Sequence, residues 1–195
     1  MKTKLLIFLA LAAAVVTFTA ESCFVSTKEV EVPVRGEGDL SFHASGVSDS
    51  GTRTIDFAEL IDDLRNDSGF DSLLSAHIEN GYWHVINNLG SPSLTVSGQI
   101  GVQEAGSAAA PVPLIAYTSI DIADYSGDFV VAPLNSAGVD MLNQGFDDYL
   151  RGTRTSLSYV FTWSSQAGAG TVNFDWEGKV KFVLVGLTTV DVPEL

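Results

Sequence analysis

Two runs near the end of the chain, SLSYVFTW (156–163) and TVNFDWEGKVKFVL (171–184), decide the fold class. In the first, Leu157, Tyr159, Phe161 and Trp163 fall on one side of an extended backbone, opposite Ser156, Ser158, Val160 and Thr162. In the second, Val172, Phe174, Trp176, Val180, Phe182 and Leu184 oppose Thr171, Asn173, Asp175, Glu177, Lys179 and Lys181. Side chains of a strand alternate between its two faces, so a period of two with one dry and one wet side reads as a strand buried on one face. The intervening Gln166–Gly170 is turn-forming, which predicts that the two runs pair as a C-terminal hairpin.

The same period extends outward. Val30, Val32 and Val34 alternate with charged or imino residues, and Leu40 and Phe42 flank Ser41. Leu74, Ala76 and Ile78, then Leu94 to Gln103, then Leu114 to Ile122, continue it. Gly36-Glu37-Gly38, Ser48–Gly51 and Asn87–Gly90 punctuate the runs. Gly81 interrupts a strand where the apolar phase switches between Ile78 and Trp83, which predicts a β-bulge. Residues 104–113 read as a loop.

Two stretches have helical spacing. Ile55–Asn66 places Phe57, Leu60, Ile61 and Leu64 on one stripe. Ser136–Arg151 does the same with Val139, Leu142, Phe146 and Leu150, with Ser136 as N-cap and Gly152 as the stop. Gly138 and Gly145 weaken the second helix, so packing must hold it. The expected fold is mainly β: an antiparallel β-sandwich with one or two short helices packed at an edge or end.

The 195 residues, 46% hydrophobic and 17% charged, suit a single domain with a substantial core. A net charge of −14 excludes a nucleic-acid partner, which needs a positive surface. One cysteine excludes an internal disulfide.

Residues 1–22 read as a signal peptide: Lys2 and Lys4 precede an apolar run from Leu5 to Phe18, and small residues Ala20 and Ser22 stand before Cys23. Ala20-Glu21-Ser22-Cys23 resembles the lipobox of bacterial lipoproteins. The order of strands, then helix, then a C-terminal hairpin is similar to that of some uncharacterised bacterial envelope lipoproteins. The resemblance implies lipidation of Cys23, a tether over 23–28 and one domain over 29–195. It also implies attachment to a membrane of the cell envelope, the outer membrane in a Gram-negative cell. Cleavage without lipidation would leave a secreted or periplasmic soluble protein. Loss of the leader removes Lys2, Lys4 and Glu21 and leaves 8 basic and 23 acidic residues. The membrane link would therefore run through lipid, not through a basic patch.

Catalytic motifs are scarce. Neither Gly-x-Ser-x-Gly nor Ser-x-x-Lys occurs, and no phosphate loop or dinucleotide fingerprint does. No cofactor is implied. His77 and His84 lie seven apart, and the bulge near Gly81 would bring them to one face. Asp121, Asp124 and Asp128 are the calcium candidates, and Asx turns account for the same residues. Asp175 and Glu177 share a wet face. Trp163 and Trp176 fall on apolar faces and read as core. Tyr82, Trp83 and His84 are the ligand-binding candidates, with Tyr82 and His84 outward if Trp83 points in. The chain thus reads as a non-enzymatic envelope protein, structural or binding a protein or glycan partner. The alternative is a carbohydrate- or apolar-ligand-binding sandwich.

Overall fold

A computed structural model describes residues 25–89 and 94–193. Eight strands and two helices follow in order: β1 (Val25–Gly46), β2 (Ser48–Asp56), α1 (Phe57–Ser68), β3 (Ser72–Asn88), β4 (Thr95–Glu104), β5 (Val112–Asp121), β6 (Val130–Ala132), α2 (Ser136–Leu150), β7 (Ser158–Ala167) and β8 (Val172–Pro193). A single 3-10 turn, Ile122–Tyr125, leads from β5 toward β6. The strands form two antiparallel sheets of four, ordered β1-β8-β3-β6 (sheet A) and β2-β7-β4-β5 (sheet B). The expected sandwich is therefore present. Its strand order is that of a jelly roll, in which the chain passes from sheet to sheet and the first and last strands lie side by side.

That order overturns the C-terminal hairpin. β7 belongs to sheet B, where it pairs with β2 and β4, and β8 belongs to sheet A, where it pairs with β1 and β3. The glycine-rich turn carries the chain across the core instead of back along the same sheet. A hairpin and a sheet-to-sheet arch present the same alternation, because in both one face of each strand is dry. The pattern therefore shows which side faces the core and not which neighbour supplies the hydrogen bonds.

The predicted bulge exists but is displaced. The register of β3 on β8 shifts between Ile78 and Asn80, two residues before Gly81. Beside it, the Ile78 amide donates to Asn143 Oδ1 of α2 at 2.7 Å. Gly81 is instead a point of close approach: a Cβ there would come within 2.8 Å of Leu134.

Helix α1 begins two residues after the expected Ile55, and α2 begins at the expected Ser136 but with a different cap. Asp56, not Ile55, opens α1, its carboxylate accepting from Ala58 N at 3.0 Å. Asn135, not Ser136, caps α2, its side-chain oxygen accepting from Ala137 N. Both helices deliver apolar stripes to the core. Phe57 of α1 meets Phe146 of α2 edge-on at 5.3 Å and Phe182 of β8 at 5.7 Å, and faces Tyr159 and Phe161 of β7. One aromatic cluster thus ties both helices to both sheets. Trp163 and Trp176 are buried in the sandwich against Phe42, as expected.

β1 and β8 are each 22 residues long and pair along their whole length. β3 joins β8 only as far as Leu187. Val25–Val30 and Thr188–Pro193 therefore pair with each other beyond the last β3 residue, as a two-stranded ribbon of about 20 Å. Asp71 braces its base, accepting from Thr189 N and Oγ1 at 2.8 Å each. Residues 25–28, part of the expected tether, are thus paired strand. The signal peptide, the lipobox-like segment and Cys23 lie outside the described residues.

Candidate functional site

The outward faces of the two sheets differ in chemistry. Sheet A is charged and cross-linked. Arg35 of β1 reaches over β8 to hold Glu79 with two nitrogens, Nε and Nη2, each 2.9 Å from a carboxylate oxygen. This bond holds the Glu79 carboxyl below its ordinary range. Lys179 pairs with Glu37 at 2.6 Å and lies 3.9 Å from Asp39; the Glu37 bond pushes its ammonium pKa up. Asp175 accepts from Asn87 Nδ2 at 2.9 Å and pairs with His43 Nδ1 at 2.6 Å. These bonds, the Asn87 one foremost, hold its carboxyl below the usual range.

The bulge in β3 sets the positions of the ligand-binding candidates. Tyr82 faces outward beneath Lys181, whose Nζ sits 4.6 Å from the ring centroid. His84 also faces outward. Its ring stacks on Phe129 at 3.9 Å, Nδ1 donates to the Gly127 carbonyl at 2.6 Å, and Nε2 lies 3.4 Å from Glu177. Trp83 turns the other way, stacked on Tyr125 at 4.4 Å and on Tyr117 of sheet B at 5.7 Å. The three consecutive residues are thus divided between the outer surface and the space between the sheets. His77 and His84 do share the outer face, at β8 partners Val183 and Glu177.

The space beneath Trp83 is filled. The void enclosed by Trp83, Val96, Tyr117, Phe174 and Trp176 is about 10 Å³, too small for an apolar ligand. Of the calcium candidates, Asp121 caps the 3-10 turn by accepting from Ala123 N at 2.9 Å, and Asp124 and Asp128 are exposed. Among the described residues, no three His, Cys, Asp or Glu side chains converge as metal ligands.

The outer side of sheet B carries an open trough of about 690 Å³. Ser48, Asp49 and Ser50 of β2, Ser164, Ser165 and Gln166 of β7, Ser97, Gly98 and Gln99 of β4 and Tyr117 of β5 line it. Trp163, Ser165 and Ala167 are buried, so alternation puts Ser164 and Gln166 on the outer side. Tyr117 passes under the trough and donates from its hydroxyl to the Ser164 carbonyl at 3.2 Å. Burial pushes its phenol up to about 12. Asp49 accepts from the amides of Ser45 and Ser50 at 2.9 and 2.8 Å, which holds its carboxyl below the ordinary range. The trough has no contiguous signature in the sequence. Its residues come from four strands and converge only once the sheet order is known; the one local trace is the uncharged wet face of Ser158–Gln166.

No known protein family and no curated protein matches the chain. Among solved structures, the decameric BFDV capsid protein overlaps 80% of this chain and 99% of its own, with a TM-score of 0.35 and 9% identity. That overlap is too loose to add to the strand order already described.

Proposed function

We propose that this protein is an exported, non-enzymatic binding module, anchored to a cell-envelope membrane by lipid on Cys23 and presenting a jelly roll to a partner. The observation that carries the reading is the projecting ribbon. Its tip, Val25 paired with Pro193, begins two residues after Cys23. A lipid at Cys23 would sit at the end of a braced stalk of about 20 Å, with the sandwich held off the bilayer and its sheet faces free. An acidic body gains from that separation, because anionic headgroups repel it.

The test is metabolic palmitate labelling with membrane fractionation of wild type and Cys23→Ala. The expected result is label and membrane sedimentation in the wild type, and loss of both in the variant. An unlabelled wild type, or equal labelling of the two, overturns the anchor.

A further inference from the structure

The outer face of sheet B is uncharged over four successive rows. Ser48–Gln166–Ser97, Ser50–Ser164–Gln99, Thr52–Thr162–Gly101 and Thr54–Val160–Gln103 lie across β2, β7 and β4. In a chain with 24 acidic and 10 basic residues, and beside a sheet A face crossed by ion pairs, this is a separate surface. The trough lies in its first two rows.

From this lining we infer that the trough binds a neutral glycan. An anion would find no Lys or Arg in the lining and a body that repels it. A cation would find one carboxylate, Asp49, already accepting from two backbone amides. An apolar ligand would strip water from serine and glutamine side chains and leave them unpaired. A neutral polyol answers each of these groups, because sugar hydroxyls donate and accept, as serine and glutamine side chains do. The volume lies within the range of about 300–1,000 Å³ occupied by small-ligand sites. The open shape suits a chain lying across the strands more than a molecule enclosed by them. The floor is rigid sheet pinned by the Tyr117–Ser164 bond.

The inference names a ligand for the proposed binding module and does not depend on the lipid. Failed labelling would remove the anchor and leave the trough; failed glycan binding would do the reverse. The full-length chain is run in native gels containing soluble glycogen, mixed-linkage glucan, mannan or xyloglucan, and in a gel containing alginate. Retardation is expected in at least one neutral gel and none with alginate. The double variant Gln99→Ala/Gln166→Ala should weaken binding about tenfold. Thr162→Glu, which places a charge in mid-face, should weaken it too. Lys181→Ala on sheet A should have no effect, and circular dichroism checks the fold of each variant. No retardation in any neutral gel, retardation unchanged by both sheet B variants, or stronger retardation by alginate overturns the inference. A dimer dissociated by the double variant also overturns it, in favour of a second copy on this face.

Discussion

Trp83 and Tyr82 are adjacent in sequence and opposite in consequence. Trp83 stacks on Tyr125 and Tyr117 and meets Trp176 edge-on at 6.3 Å, so Trp83→Ala should cost about 3 kcal/mol. Tyr82→Ala loses only an outward ring under Lys181 and should cost less than about 1 kcal/mol. Denaturant midpoints check the pair, and equal losses would contradict the assigned faces. Acid behaviour follows from Asp49, Glu79 and Asp175, whose carboxyls are all held below their ordinary values of 3.8, 4.5 and 3.8. As pH falls through that range, the unfolded chain takes up protons that the folded chain refuses. The stability these groups contribute is therefore present above about pH 5 and lost on acidification. Thermal midpoints should drop between about pH 5 and pH 3, and less so in Asp49→Asn. At the alkaline end Tyr117 has the opposite sense. Between the ordinary 10 and about 12 the unfolded chain releases a proton that the folded chain keeps, so stability declines there. Ultraviolet phenolate titration should show Tyr117 ionising in that late window, with Tyr149 and Tyr159, also pushed up by burial, ionising above the ordinary value too. That Tyr82 and His84 point outward while Trp83 points inward was legible from alternation. Their separate neighbours were not, because Phe129, Gly127 and Tyr117 reach them from distant segments.

Helix α2 shows two influences opposed within one element. By intrinsic propensity, alanine at Gly138 or Gly145 would gain about 1 kcal/mol. The packing opposes it. A Cβ on Gly138 would come within 2.7 Å of the Pro113 carbonyl and 2.8 Å of Leu114 Cα, backbone that has no room to yield. A Cβ on Gly145 would collide with the Tyr159 hydroxyl. Overpacking of this kind costs about 1–3 kcal/mol, so both alanine variants should melt below the wild type. A rise in either would mean that the helix sits less closely on β5 and β7. The helix itself was legible, since its stripe and its stop at Gly152 are local. The destination of β7 was not: Leu157, Tyr159, Phe161 and Trp163 declare a dry side equally well in a hairpin and in an arch. The trough shares that limit, since Ser50, Ser164 and Gln99 become neighbours through β2–β7 and β4–β7 pairing alone.

At the scale of the molecule, the first and last described strands close the fold on one another, with Val25 opposite Pro193. Few sheet contacts can form before most of the chain is in place, because β1 must find β8 across almost the entire length. Pairing at such separation slows folding, and refolding followed by tryptophan fluorescence should occupy milliseconds to seconds. A microsecond phase carrying the full amplitude would contradict the strand order. The long β1–β8 ladder also has a mechanical meaning. A pull applied at Val25 against a partner gripped on sheet B runs along the strand axis. It loads the rungs of the ladder together, in shear. A pull between Val25 and Pro193 instead peels the rungs apart singly from the tip. In a force spectrometer the first geometry should therefore rupture at markedly higher force than the second. The same two strands would be a strong cable when drawn lengthwise and a zipper when their ends are drawn apart.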